Sequence, residues 1–203
     1  MRHYFVDRKH DEEDYFVFQE TFQGVNFSFK SCSDVFSKNE LDYGSLVLVR
    51  SVLEHSNIFD GGKIMDMCCG YGTIGILLSK FLDVEFYMSD VNSTAVELAK
   101  TNVINNKTYI KPENIFVSNL FDNVNLSFNH IVSNPPIKVG KKILWSFVDG
   151  SYEHLETNGT LTLVIKKNLG EDSLRKYLIS KFGNCDIWER DKGYYILHCI
   201  KNN

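Results

Sequence analysis

The two last extended segments of this chain, about 185–190 and 193–200, are separated only by Asp191-Lys192-Gly193. A crossover between parallel strands needs a dozen or more residues, so three force these strands to pair as an antiparallel hairpin. Before them, from residue 42, apolar patterning alternates between helical and extended. The expected elements are helix 44–56, strand 63–67, helix 73–81, strand 84–89, helix 93–105, strands 114–118 and 129–133, helix 140–157, strand 160–166 and helix 171–182. Repeated strand–helix units require a parallel sheet with right-handed crossovers. The chain therefore predicts an α/β fold, a doubly wound seven-stranded sheet with one antiparallel strand. Upstream, Tyr15-Phe16-Val17-Phe18 and Val25-Asn26-Phe27-Ser28-Phe29 flank Phe22-Gln23-Gly24 and read as a β-hairpin. Residues 1–41 are expected to form a hairpin extension, a flap or cover, on a core of residues 42–203, all within one domain.

The run from Lys63 to Gly75 combines a short apolar strand, a glycine turn and a helix start. Glycines let the backbone approach a ligand closely, and a helix start aims free N–H groups at it. Gly70-x-Gly72-x-x-Gly75, with Asp90 after the next strand, satisfies the dinucleotide fingerprint, so a nicotinamide or flavin oxidoreductase is one reading. Asp66, at the end of the first strand, argues against it. A carboxylate there repels a pyrophosphate and attracts a sulfonium or an amino-acid ammonium. Ser93 reads as a helix N-cap reinforced by Glu97, leaving Asp90-Val91-Asn92 as a loop at the ligand face. Farther on, Asn134-Pro135-Pro136 follows the apolar pair Ile131-Val132. Two prolines stiffen the backbone and remove its donors, leaving the Asn134 amide oxygen and the Pro135 carbonyl to accept from an NH2 group. Alone, the tripeptide is equally consistent with a plain turn after a strand.

Asp66-x-Cys68-Cys69-Gly70-Tyr71-Gly72, Asp90 and Asn134-Pro135-Pro136-Ile137 resemble the first, second and fourth motifs of class I S-adenosylmethionine-dependent methyltransferases. Within that class the chain is most similar to the small-domain group typified by the 16S ribosomal RNA guanine-N2 methyltransferase. Asp34-Val35-Phe36-Ser37, Asp42-Tyr43-Gly44-Ser45, residues 133–142 and 191–197 carry the likeness, which covers nearly the whole chain. The resemblance implies a Rossmann-like fold and S-adenosyl-L-methionine held by Asp66, Cys68, Gly70, Gly72, Asp90, Asn119 and Asn134. It implies catalysis by Asn134 and Pro135, with the substrate meeting Pro136, Ile137, Phe36, Lys138, Lys141 and Lys142. Asp90 would bond both ribose hydroxyls; a solvated acid at a helix entry is the alternative. Three positions depart from the pattern. Cys68 stands where the group usually has glycine, Asn119 where an aspartate commonly meets the adenine amine, and Ile137 where an aromatic commonly stacks on the base. Phe36 is then the candidate stacking residue, although a core role suits it as well.

Accepting hydrogen bonds from an aromatic amine favours a pyramidal nitrogen with an available lone pair, and no strong base is needed. A paired base cannot reach such a site, so the target is unpaired or flipped. The same residues suit adenine N6 or a protein glutamine amide, and a non-catalytic RNA-binding factor that keeps the fold is a further reading. Net charge is −4, which gives no bulk attraction to nucleic acid, but residues 138–203 carry 11 Lys and Arg against 8 Asp and Glu while residues 1–137 carry 11 against 18. Lys138, Lys141, Lys142, Lys166 and Lys167 thus form a candidate basic rim for RNA. The five cysteines are odd in number with no Cys-x-x-Cys pair, and the six histidines are scattered, so neither disulfides nor a metal is expected. No apolar run is long enough to span a bilayer and the charged N-terminus lacks a signal-peptide core, so a cytoplasmic location is expected.

Overall fold

The computed structural model describes residues 14–35, 37, 39–137 and 140–202. Among these, seven strands form one sheet in the order β5-β4-β3-β6-β7-β9-β8. They are β3 (Lys63–Met67), β4 (Glu85–Asp90), β5 (Ile115–Val117), β6 (Phe128–Ser133), β7 (Leu155–Lys166), β8 (Asp186–Asp191) and β9 (Tyr194–Ile200). Neighbours from β5 to β7 pair parallel, and β9 pairs antiparallel with both β7 and β8. One reversed strand results, as the short final connection requires. The order reverses at β3 and β6, whose carboxyl ends open a crevice where ligands of such sheets bind.

The period-two alternation of the strands sorts their side chains between two faces. Ile64, Phe86, Met88, Val132, Val164 and Ile196 pack on one side with α1 (Tyr43–Glu54), α2 (Thr73–Leu78) and α3 (Ser93–Asn105). Met65, Met67, Ile131, Leu163, Ile165 and Leu197 pack on the other with α4 (Lys141–His154) and α5 (Glu171–Phe182). Both faces are covered, which makes the sheet doubly wound.

The hairpin β1 (Tyr15–Phe22) and β2 (Val25–Cys32) is not a detached flap. Phe27, Phe29 and Cys32 are buried in the same core as α1–α3, and the Phe29 ring meets Tyr71 edge-on at 5.9 Å. Polar contacts fix the docking. Asn102 and Asn106, one turn apart on α3, each bond a backbone N–H and carbonyl of β2: Asn102 those of Lys30 (2.7 and 2.9 Å), Asn106 those of Ser28 (2.9 and 2.8 Å). Two helix amides thus stand in for a neighbouring strand and satisfy an edge of the hairpin.

Some boundaries differ from the sequence expectation. Helix α2 ends at Leu78, not residue 81, because the chain tightens into three-residue turns in which Phe81 N–H bonds Leu78 O. Helix α4 ends at His154 and β7 already begins at Leu155, which pairs with Phe128 across an irregular register. The N-cap of α3 is Asn92, not Ser93: its side chain accepts from Thr94 N–H at 2.9 Å and Ala95 N–H at 3.3 Å. Glu97 pairs with Lys100 instead.

Candidate active site

A cavity of about 400 Å³ opens at the carboxyl ends of β3, β4 and β6, and the segments that the sequence singled out meet there. The turn after β3 supplies Cys68, Cys69 and Gly70, the loop after β4 supplies Asp90, Val91 and Asn92, and the end of β6 supplies Asn134 to Ile137. Backbone bonds shape the turn. Cys69 N–H donates to Ser89 O and Gly72 N–H to Cys69 O, both at 2.9 Å. Asp90 braces it from across the crevice, accepting from Gly70 N–H through Oδ2 and from Asn92 N–H through Oδ1, each at 2.9 Å. Burial raises the Asp90 carboxyl above the usual range, while these N–H groups pull it back.

Cys68 adopts φ 62, the left-handed region, where a Cβ costs about 1–2 kcal/mol. The usual glycine is therefore the unstrained residue at this position, and cysteine occupies it at a cost. Burial, with the nearby Asp90 and Asp66, raises the Cys68 and Cys69 thiols well above the ordinary range, so neither is a nucleophilic thiolate near neutrality. Gly70 has φ 55, and a Cβ there would meet nothing within 4 Å, so the glycine faces open space beside the cavity. Gly72 has a different task. A Cβ on it would come within 2.9 Å of Met88 Cε and 3.0 Å of Ile76 Cδ1, so its smallness serves packing.

Asn134 is held from behind. Its Nδ2 donates to Asp42 Oδ2 at 2.9 Å and to Ser45 Oγ at 3.0 Å, which uses both amide hydrogens. Among the described residues nothing bonds its Oδ1, which remains an acceptor. Pro135 and Pro136 continue the wall toward Ile137, and Lys166, Leu169 and Tyr194 face them from the β7 and β9 side. Asp34, Val35 and Ser37 also line the crevice, their segment tied by Tyr71 Oη–H to Ser37 O at 2.9 Å and by Asn92 Nδ2–H to Asp34 O at 3.3 Å.

Of the residues expected at the site, Cys68, Gly70, Asp90, Asn134, Pro135, Pro136 and Ile137 share this cavity. Asp66, Gly72 and Asn119 are not on its wall. Asp66 is fully buried beneath the turn, where Oδ2 accepts from Gly75 N–H at 2.9 Å and Oδ1 has no partner among the described residues. Burial pushes its carboxyl up to about 7, Gly75 N–H opposing and Asp90 reinforcing the rise. This local bond is the role a buried acid beside a turn takes, and it keeps Asp66 under the cavity wall. Asn119 is exposed and donates to Asp122 Oδ2 at 2.9 Å. Lys141 and Lys142 are exposed at the start of α4, off the wall. Phe36 and Lys138 lie outside the described residues. Sequence reasoning assigned no site role to Asp42, Ser45 or Tyr194, all of which line the cavity, while Asn92 lines it as part of the loop expected at the ligand face. Asp42-x-x-Ser45 does carry a signal, that of an N-cap acid ahead of a helix.

Among the described residues no group of His, Cys, Asp and Glu is arranged to hold a metal, and no helix is long and apolar enough to cross a membrane. A family model, the methyltransferase small domain, matches residues 26–198. The uncharacterized protein YbxB of Bacillus subtilis is 38% identical over 98% of both chains. Ribosomal RNA small subunit methyltransferase C of Psychromonas ingrahamii is 30% identical over 86% of this chain and 49% of its own length, so this chain spans about half of that relative. Among solved structures, the T. thermophilus 16S rRNA N2 methyltransferase RsmC, in complex with AdoMet and guanosine, superposes with a TM-score of 0.82 at 22% identity. That likeness covers 93% of this chain and 51% of the other, and it shows a shared fold.

Proposed function

The chain belongs to the methyltransferase small domain family, and from that premise we propose that it transfers a methyl group from S-adenosyl-L-methionine to guanine N2 of small-subunit ribosomal RNA. The observation that carries the amine as acceptor is the Asn134 amide, whose two hydrogens are taken by Asp42 and Ser45 while no described residue bonds its oxygen at the cavity. The cofactor supplies an electrophilic methyl carbon on a sulfonium. The residues present fit it: the space beside Gly70, the Asp90 carboxylate for hydroxyls, and apolar Val91, Ile74 and Ala95 for a flat ring.

Asn134 Oδ1 and the Pro135 carbonyl accept the two N–H bonds of the exocyclic amine and orient its lone pair. Their dipoles then face the positive charge that develops on nitrogen, without reorganising. The proton departs to water after transfer, so no base is required: the described wall holds no histidine, and its carboxylates Asp34, Asp42 and Asp90 already accept from Ser33, from Ser45 and Asn134, and from Gly70 and Asn92. Guanine and ribosomal RNA as acceptor rest on the names of the RNA methyltransferases this chain resembles, and a cytoplasmic location follows from such a substrate.

The test is transfer of labelled methyl from S-adenosylmethionine to small ribosomal subunits, or to their naked RNA, prepared from cells lacking this protein, followed by mass-spectrometric mapping of nucleosides. N2-methylguanine at one position is the expected product. N6-methyladenine or a methylated protein glutamine would overturn the guanine assignment, and no labelled product with the cofactor bound would overturn the enzyme.

A further inference from the structure

A carboxamide has two faces of nearly the same shape, one accepting and one donating, and rotation about its last bond exchanges them. Only the oxygen face can take a hydrogen bond from an amine, so some feature of the protein has to choose it. Asp42 is the N-cap of α1, and its Oδ2 accepts from Ser45 N–H at 2.8 Å and from Ser45 Oγ–H at 3.2 Å. Ser45 has thus directed its hydroxyl hydrogen to Asp42 and offers Asn134 a lone pair. Carboxylate and hydroxyl together present only acceptors to Asn134 Nδ2, at 2.9 and 3.0 Å. A flipped amide would set Oδ1 against Oδ2 at that separation, oxygen facing oxygen. Gly44 leaves room for this arrangement, since a Cβ on it would lie 3.0 Å from Asp42 Oδ2 and 2.7 Å from Tyr194 Cε1.

We propose that Asp42 is a positioning residue for methyl transfer: held by the first turn of α1, its carboxylate locks the Asn134 amide with the oxygen toward the acceptor amine. The inference rests on the amine-methyltransferase reading above. The lock also polarises the amide, drawing its hydrogens toward a negative charge and leaving more negative charge on Oδ1, where the reacting nitrogen becomes positive.

One oxygen, Asp42 Oδ2, serves Ser45 N–H and Asn134 Nδ2 alike, so a test of the lock has to keep the helix cap and withdraw the carboxylate. Asp42→Ser keeps a shorter oxygen able to cap Ser45 N–H and lets the Asn134 amide choose either orientation. Its kcat is expected to fall about tenfold or more, with KM for RNA and affinity for S-adenosylmethionine within about twofold. Asn134→Asp places two carboxylates face to face, and its kcat is expected to fall about 100-fold or more. In the double variant D42S/N134D the Ser45 hydroxyl, no longer drawn to a carboxylate at position 42, donates to the carboxylate at position 134, whose other oxygen accepts from the amine, so the rate is expected to recover at least about tenfold over N134D. A double variant no faster than N134D, or a D42S whose cofactor affinity and melting temperature fall along with its rate, would overturn the positioning role. A readout free of turnover accompanies these rates. The Asn134 side-chain NH2 pair in a ¹⁵N spectrum, identified by its loss in N134D, is expected to exchange slowly in the wild type and faster in D42S. Fast exchange in the wild type would also overturn the lock. A slow pair in a protein that transfers no methyl would sink the proposed function and leave the lock in place.

Discussion

Removing the carboxamide from the acceptor site should separate chemistry from binding and folding. In Asn134→Ala two hydrogen bonds disappear, those from Nδ2 to Asp42 Oδ2 and Ser45 Oγ. Neither partner is stranded, because Asp42 still accepts from Ser45 N–H and Oγ–H and caps α1. The site borders an open cavity, so water replaces the lost donor. The cost to stability is then that of two partly solvated bonds, one of them charge-assisted, or about 1–3 kcal/mol. For a chain of this length that lowers the melting temperature by roughly 3–10 °C and leaves the protein folded at 25 °C. The cofactor turn at residues 68–72 has no hydrogen bond to Asn134, so S-adenosylmethionine affinity measured by calorimetry should stay within about threefold. What disappears is one preorganised acceptor facing the charge that develops on nitrogen, and the rate should fall by about 10²–10³, or about 2.7–4 kcal/mol. The assay is single-turnover methyl transfer to unmodified ribosomal RNA, beside calorimetry and thermal melting on the same preparation. Turnover within about threefold of wild type would refute the amine-acceptor mechanism. Parallel losses of rate, cofactor affinity and stability would make Asn134 a structural residue of the crevice.

Other perturbations follow from the same geometry. Asp90→Ala removes the carboxylate expected to bond the cofactor hydroxyls and frees Gly70 N–H; affinity for S-adenosylmethionine should weaken by about 1.5–3 kcal/mol, and unchanged affinity in a folded variant would take Asp90 out of the cofactor site. Cys68→Gly relieves about 1–2 kcal/mol of left-handed strain but gives back about 0.5–1 kcal/mol to the freer unfolded chain. The melting temperature should hold or rise slightly with cofactor affinity equal or better, so a tenfold weaker Kd would reveal a thiol contact with the ligand. Replacing Lys141 and Lys142 with alanine should reduce the slope of log affinity for RNA against log salt by about one to two, with cofactor binding unchanged; an identical slope would show that these lysines are only solvated surface. Burial lowers His130 to about 4 and His198 to about 3. The unfolded chain therefore takes up protons that the fold excludes, and the stability these neutral histidines confer is complete above about pH 6.5. It is lost as pH falls toward 4. Asp66, pushed up to about 7, works the opposite way over the same window, as do Asp90 and Glu189, which burial also raises. The histidine part is therefore read against the variant H130N/H198N: from pH 7 to 4.5 the wild type should lose more melting temperature than the variant, and parallel profiles would contradict the buried neutral state of the histidines.

What the sequence conveyed and what it withheld divide along the range of the interactions. Period-two and helical patterning sorted strands and helices, and the three-residue connection before β9 dictated the reversed strand, because each rests on neighbours along the chain. The turn at 68–72 and the loop at 90–92 were legible for the same reason: a glycine turn after one strand and an acid after the next are local signals that the sheet then brings together. The hairpin was visible as a hairpin but not as part of the core. Its docking depends on Asn102 and Asn106 bonding Lys30 and Ser28, more than 70 residues away, and two asparagines on a helix give no hint of a strand lying beside it. Ser93 reads as the cap because its residue type caps helices, but the same holds of Asn92, and only the backbone at Asn92, φ −86 and ψ 112, makes it the cap.

The acceptor site shows the limit most clearly. Asn134-Pro135-Pro136 announces a stiff, acceptor-rich segment, yet a carboxamide is an acceptor only after its donors have been engaged elsewhere. That engagement comes from Asp42, 92 residues earlier, whose sequence signature is that of an ordinary helix cap. Asp66 illustrates the converse. Its position before the glycine turn gives it a cofactor role in the sequence, but its side chain alternates to the face of β3 that packs on α2 and meets Gly75 N–H beneath the turn. A strand's alternation fixes which face each residue serves, and for an acid at a strand end one residue of register decides between the cavity and the floor under it. Asn134, at the end of the neighbouring strand β6, lies past the last paired residue, Ser133, where the prolines have already ended the ladder. Freed from the alternation, its side chain is directed by the contacts it makes, and those contacts come from the first turn of α1. The chemical identity of the site was therefore written at Asn134, while its orientation was written at Asp42.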